Sequence, residues 1–205
     1  MTTRTGTATV QTEEHDGIFV ITLDRPETRN AVDGATARAP AAAVDRLESR
    51  DDLWVGSLTG TDGVFSAGMD LKAFAAGDTP VVEGRGFADI TRTRVTTIPR
   101  NIALELRLTG DPLPAERAEQ FGLVNYPTEP GQALRRAVEL AALVVRNAPP
   151  AVAAVKRVVT ERTAFRDEDA FVEQDRIVAP VLGSHDAKEG ARAFTERRSP
   201  LWQGR

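Results

Sequence analysis

Val64 to Phe74 reads V-F-S-A-G-M-D-L-K-A-F. An apolar strand end passes through Ser66-Ala67-Gly68 and runs directly into an amphipathic helical pattern, so the stretch reads as a strand-to-helix corner. Small residues there let a backbone approach a ligand closely, and the first turn of the following helix leaves N–H groups unpaired. Such N–H groups can hold a developing oxyanion. An isolated S-A-G is more often a tight turn that binds nothing, so the residues around it decide between the two.

Upstream of the corner, Leu53 to Leu58 reads as a buried strand ended by Thr59-Gly60-Thr61-Asp62-Gly63. Further back, Thr7 to Thr12 alternates weakly with Ala8 and Val10 on one face, and His15-Asp16-Gly17 leads into the β-branched run Ile18 to Leu23, a hairpin signal. The polar loop from Asp24 to Asn30 precedes an alanine-rich stretch, Asp33 to Leu47, that reads as helix. Pro40 lies inside it, removes a backbone bond and typically costs about 3 kcal/mol, so a kink or break near Ala39 is predicted. The order is strand, strand, helix, strand.

The second half is helical throughout. Leu134, Val138, Ala142 and Val145 repeat at helical spacing, and Pro149-Pro150 is read as closing that helix. Val152, Val155 and Val159 form the next stripe. Asp167 is the expected N-cap of a helix with Phe171, Gln174 and Val178, and a last helix holds Ala193 and Phe194. An α/β core of residues 1–98 followed by a helical region, 99–205, is the domain division expected.

The chain of 205 residues is 41% hydrophobic and 27% charged, ordinary for a globular protein. Its net charge of -4 gives no electrostatic reason to bind nucleic acid or anionic membrane. The absence of cysteine excludes disulfide and thiolate chemistry, and His15 and His185 form no local ligand pair, so no metal is expected. Without an N-terminal apolar run or a stretch of spanning length, a cytoplasmic location is expected. Gly84-Arg85-Gly86 lacks the full dinucleotide fingerprint, and no phosphate-binding G-x-x-x-x-G-K-[ST] occurs.

Three segments in order, T-L-D-R-P-E-T-R-N-A at Thr22 to Ala31, L-T-G-T-D-G-V-F-S-A-G-M-D-L-K at Leu58 to Lys72 and S-H-D-A-K-E-G-A-R-A-F-T-E-R-R-S-P-L-W-Q-G at Ser184 to Gly204, resemble the enoyl-CoA hydratase/isomerase, or crotonase, family. The resemblance implies an α/β crotonase-like (ClpP/crotonase) spiral of β-β-α units with a helical C-terminal oligomerisation region, assembling as a homotrimer or a dimer of trimers. It implies an acyl-CoA substrate, with coenzyme A part of the substrate and no separate cofactor. Carried over by motif, the backbone N–H of Ala67 is the oxyanion donor, and Gly68, Met69 and Asp70 complete the substrate-binding turn. One fixed donor in a dry acyl-transfer site is worth roughly 3 kcal/mol. Arg29 and Ala31 are candidates for contact with the CoA nucleotide, with a solvated loop charge the equal alternative for Arg29.

The resemblance also implies a second, glycine-borne oxyanion donor and two acidic residues downstream, and this segment is not found. From Ile98 the chain resembles a later helix of the family, so several tens of residues are read as absent between about Thr93 and Ile98. Asp70, Glu83 and Asp89 lie nearby, and none matches a family acid. Asp70 reads better as a helix N-terminal charge. In the tail, Asp186, Lys188, Glu189 and Gly190 with Phe194, Arg197, Arg198, Pro200 and Trp202 match the family. Phe194 and Arg197 are implied to reach a neighbouring subunit's acyl-CoA, while packing is the competing role for Phe194 and the favoured one for Trp202, and a basic helix end that needs no ligand is the alternative for Arg197. The expected function is therefore an impaired enoyl-CoA hydratase or isomerase. The alternatives are a noncatalytic acyl-CoA-binding assembly partner and a chain without a stable fold.

Overall fold

A computed structural model describes residues 3–6, 9–83, 86–87 and 98–205. Ala8, Asp89 and the proposed join from Thr93 to Thr97 lie outside the described residues, as do Gly84 and Arg85.

A hairpin organises the first half. Strand β2 (Val10–His15) pairs antiparallel with β3 (Ile18–Leu23) around Asp16-Gly17, whose φ values of 49° and 79° give the doubly positive turn that matches strand twist. The first arm is Val10–His15 rather than Thr7 to Thr12, and a further strand, β1 (Thr3–Gly6), pairs outside it. Helix α1 (Gly34–Glu48) then carries the chain back so that β4 (Val55–Gly60) pairs parallel with β3, Ile18 opposite Val55 and Leu23 opposite Gly60. The sheet order is β1-β2-β3-β4, with β4 at its edge.

β3 is central and almost wholly buried because both faces are covered. On one face Phe19, Ile21 and Leu23 pack with Val10, Leu53 and the α1 residues Ala39, Ala43, Val44 and Leu47. On the other, Ile18 and Val20 meet Val138, Ala141 and Val145 of α5 (Ala133–Val145). The alternation of β3 thus sends even and odd residues into separate clusters.

Helix α1 is continuous through Pro40, contrary to the predicted break. Asp33 fastens its start by accepting from the Thr36 N–H at 2.7 Å, and Ala37, Ala41, Ala43 and Pro40 itself are buried. Packing of that face outweighs the one backbone bond a proline removes.

After the corner, α2 (Leu71–Ala75) is a single short turn with no buried residue. Two short strands, β5 (Val81–Val82) and β6 (Gly86–Phe87), pair with each other. The remaining helices are α3 (Arg100–Thr109), α4 (Ala115–Gln120), α5, α6 (Pro149–Glu161), α7 (Ala170–Leu182) and α8 (His185–Thr195). Pro149-Pro150 opens α6 instead of closing α5, since a helix's first turn has no intrahelical use for a proline's missing N–H. The N-cap position of α7 is Asp169 rather than Asp167, because a 3-10 turn, Asp167–Asp169, intervenes. Among the described residues no single helix is long and apolar enough to cross a membrane.

Candidate active site

The corner is built by two loops that neither helix nor sheet bonding could hold alone. Asn30, fully buried, donates through Nδ2 to the carbonyls of Thr61 and Val64 at 3.0 and 2.7 Å. Its Oδ1 accepts from the Arg25 N–H at 2.8 Å and the Thr61 hydroxyl at 3.3 Å. Ser66 Oγ donates to the Asn30 carbonyl at 2.8 Å and accepts from the Gly68 N–H at 3.0 Å. Gly60 allows this approach, since a Cβ there would lie 2.2 and 2.3 Å from the carbonyl oxygens of Val64 and Phe65 and 2.7 Å from Asn30 Nδ2.

Arg25 ties the same loop to both helix starts. Its guanidinium donates to the Ala31 carbonyl at 2.7 Å and pairs with Asp33 at 3.1 Å and Asp70 at 3.3 Å. Asp70 Oδ1 accepts from the Lys72 and Ala73 N–H groups, capping α2 as its position suggested. Asp33 is held below its ordinary carboxylate pKa despite the opposing effect of burial, because Thr36 and the Arg25 charge stabilise its ionised form. Asp78 accepts from the Gly34 N–H at 2.9 Å. Asp33, Asp70 and Asp78 are therefore committed to caps and to Arg25.

The backbone N–H groups of the corner sort by elimination. Ala67 donates to the Arg29 carbonyl at 2.9 Å, Gly68 to Ser66 Oγ, and Asp70 to the Val32 carbonyl at 2.9 Å. The parallel bridge between Val32 and Met69 turns Met69's own N–H away from Val32, and it has no partner among the described residues. Ala67, expected as the oxyanion donor, has spent its N–H on the loop. Of the Ser66–Asp70 N–H groups, those of Ser66 and Met69 are left without a partner among the described residues, and Met69's is the one that follows the Gly68 turn. Gly68, at φ 86° with open space where a Cβ would project, makes the turn that exposes it.

The other candidates lie as follows. Arg29 is exposed at φ 54°, its carbonyl fastening the corner and its side chain unpartnered among the described residues. Ala31 is buried and accepts from Arg25. Phe194 is 85% exposed on α8, and Arg197 is exposed beyond it at φ 52°. The structure does not bring either of them to the corner of the same chain. α8 packs on α7, and its tail is clamped over it by Glu189, which accepts from Arg198, Arg192 and the Leu201 N–H, and by Asp186, which accepts from the Gln203 and Gly204 N–H groups. Arg25, Asn30 and Ser66 were missed by sequence reading as site-building residues. The run of two consecutive positive φ residues at Arg29 and Asn30 has no local signature beyond Asn30 itself.

A sequence profile described as enoyl-CoA hydratase/isomerase matches residues 13–86 and 82–205. The chain belongs to that family. The crystal structure of enoyl-CoA hydratase EchA1 from Mycobacterium marinum superposes with a TM-score of 0.92 at 39% identity, covering 97% of this chain and 100% of that one. Enoyl-CoA hydratase EchA19 of Mycobacterium tuberculosis is 29% identical over 94% of this chain and 96% of its own. Carnitinyl-CoA dehydratase of Salmonella typhi is 28% identical over 92% and 95%. The crotonase-type fold expected from the motifs is thereby shown. The alignment with EchA19 runs over 254 positions against 205 residues here, so at least 49 positions have no counterpart in this chain. The two profile stretches meet at residues 82–86, upstream of the Thr93 to Ile98 join read from the sequence.

Proposed function

We propose that this chain holds an acyl-CoA thioester at the Ser66–Asp70 corner, in the manner of a hydratase of its family, and that it turns over an enoyl thioester poorly or not at all. The unpaired N–H of Met69 carries this reading. It is a fixed donor at a glycine-exposed turn, where the carbonyl of a thioester gains most as it becomes enolate-like. Met69 takes the role first carried over to Ala67. Gly68 supplies the close approach, and Arg29 with Lys72 offers exposed cations for the phosphates of coenzyme A.

The impairment follows from the carboxylates. Water addition across a Cα–Cβ double bond needs an acid and a base within hydrogen-bond reach of one water and of the α-carbon. Asp33, Asp70 and Asp78 each serve a helix cap or Arg25 instead. The absence of at least 49 aligned positions supports the loss of the remaining machinery. Coenzyme A enters only as part of the substrate, no further cofactor or metal is invoked, and the partners are neither nucleic acid nor membrane. The exposed apolar residues of α6 and α7, including Val155, Val159, Phe171 and Val172, support a homotrimer or dimer of trimers through the helical region. Such an assembly would give Phe194 and Arg197 a neighbouring site to reach.

Calorimetric titration with crotonyl-CoA, alongside loss of the conjugated enoyl absorbance, tests both parts. Binding with turnover at least about a thousandfold below a complete hydratase is expected, the scale of one lost acid or base and one lost donor. Turnover at the rate of a complete enzyme, or no binding by a cooperatively folded chain, would sink the proposal.

A further inference from the structure

The Met69 N–H is the last link of a series of peptide groups that begins at a charge. Arg25 Nη1 donates to the Ala31 carbonyl at 2.7 Å. A peptide unit is planar and trans, so the Val32 N–H, which belongs to that same unit, points the opposite way from the Ala31 oxygen. It donates to the Gly68 carbonyl at 2.8 Å. Gly68 C=O shares its own unit with the Met69 N–H, and fastening that oxygen to Val32 aims the Met69 N–H directly away from the loop. The Asp70 N–H, bonded to the Val32 carbonyl at 2.9 Å, holds the other side of the bridge. Ala31 and Val32 are buried, so the linking unit is kept from water.

We infer that Arg25 is a positioning residue for the corner: through the Ala31–Val32 and Gly68–Met69 peptide units it aims and polarises the Met69 N–H toward a thioester carbonyl. The ligand's part in this rests on the proposed function, whereas the series of bonds stands in the free chain. Hydrogen bonds in series polarise one another, and a bond headed by a cation is stronger than a neutral one. Arg25 also pairs with Asp70 at 3.3 Å, so the carboxylate next to the donor does not set a bare negative charge against an enolate. The competing role for Arg25 is a strap that joins the starts of α1 and α2 through Asp33 and Asp70. The two roles differ in sign at Asp33, which lies 3.1 Å from the same Nη1 and offsets its charge. Asp33→Asn keeps a side-chain acceptor to cap α1 and removes that offset. The series then gains a stronger head, while a strap loses an anchor.

The chain has two methionines, Met1 and Met69, so [15N]methionine labelling leaves at most two amide signals, and the one missing from Met69→Leu is that of Met69. In the ligand-free chain the Met69 amide proton should move upfield in Arg25→Gln, as the donor loses polarisation, and downfield in Asp33→Asn. Arg46→Gln, which removes an α1 cation bonded to Glu14, should leave it in place. In calorimetric titration, Arg25→Gln should bind crotonyl-CoA about tenfold more weakly than the unaltered chain, the scale of a donor kept but misaimed, and coenzyme A itself within about twofold as before. A Met69 signal that stays put in folded Arg25→Gln, moves the same way in Arg25→Gln and Asp33→Asn, or moves as far in Arg46→Gln would overturn the inference, as would an equal loss of affinity for coenzyme A. Should Arg25→Gln not fold, the sign of the Asp33→Asn shift decides alone. Crotonyl-CoA bound no better than coenzyme A by the unaltered chain would instead overturn the thioester reading, and the ligand-free shifts would still decide the role of Arg25.

Discussion

The corner and the C-terminal helices show two ways of holding a chain. Around Asn30 and Arg25, polar side chains bond to partners more than thirty residues away, Asn30 to the Thr61 and Val64 carbonyls and Arg25 to the Asp70 carboxylate. In α6 and α7 the pattern is helical and apolar, yet Val155, Val159, Phe171, Val172 and Leu182 all stand more than half exposed. Apolar periodicity establishes that a helix has a sticky face. It says nothing about what covers that face. The first region is specified within one chain, and the second is left for contact with another surface.

The largest expected contrast pits two phenylalanines against each other. Phe19 is fully buried between β3 and α1, under Arg46, whose guanidinium lies 5.5 Å from the ring centroid. Phe19→Ala should cost about 3–5 kcal/mol in urea unfolding, by lost transfer energy and the cavity left behind. Phe194→Ala, at 85% exposure, should stay within about 0.5 kcal/mol at concentrations where the chain is monomeric. Equal effects would break the distinction between a filled interior and an unpartnered face.

Asn30→Ala comes next. It removes donors from two carbonyls and the acceptor that fixes the Arg25 N–H, all away from water, so about 3 kcal/mol should be lost. Asn30→Asp keeps the shape but replaces the Nδ2 donor with an oxygen facing those carbonyls, and it should be at least as damaging. Rescue by aspartate would show that volume, rather than directed hydrogen bonding, holds the corner.

These residues also mark what was legible in the sequence. Asp16-Gly17, Asp33 and Ser66-Ala67-Gly68 announced the hairpin turn, the helix start and the corner, because each is a local requirement of backbone geometry met by a residue suited to it. The donor was not legible. Whether Ala67 or Met69 keeps a free N–H depends on the Arg29 carbonyl and the Val32 bridge, contacts set by a loop over thirty residues upstream. Pro40 misled for a related reason, since the cost of one missing bond is local while the packing that offsets it comes from β2 and β3. Arg25 had no role beyond its place in the polar loop and the motif, and it is the link between Asp33 and Asp70.

The tail clamp is where the helical region most resembles the corner. Arg198 first, then the Leu201 N–H and Arg192, hold the Glu189 carboxyl well below the usual carboxylate range. With its folded pKa depressed, Glu189 contributes stability that is present above its ordinary value near 4.5 and is lost as pH falls through the folded value. Trp202, donating to the Arg146 carbonyl at 2.9 Å and resting on Gly190, is the natural reporter. In a Trp54→Phe background its fluorescence should be constant from pH 7 to about 5 and shift as acid is added below that. Glu189→Gln should show the shifted signal already at neutral pH and lose the acid transition. An unchanged transition in Glu189→Gln would assign it to other carboxylates.

The smallest effect is expected where the same chemistry is exposed. Arg135 and Glu139 lie 2.5 Å apart on α5 as an i,i+4 pair, with their side chains 67% and 45% accessible. Distance alone would rank this contact above the Arg25–Asp70 pair at 3.3 Å. Exposure reverses the ranking, because water screens the surface pair and both long side chains give up rotamer freedom to make it. The order of charges weakens it further, since the acid follows the base along the helix instead of preceding it. Glu139→Ala also exchanges glutamate for the best helix former, so the net change in unfolding free energy should be within about 0.3 kcal/mol of zero. A loss above about 1 kcal/mol would mean that α5, whose inner side already packs on β3, is covered on its outer side by another surface as well.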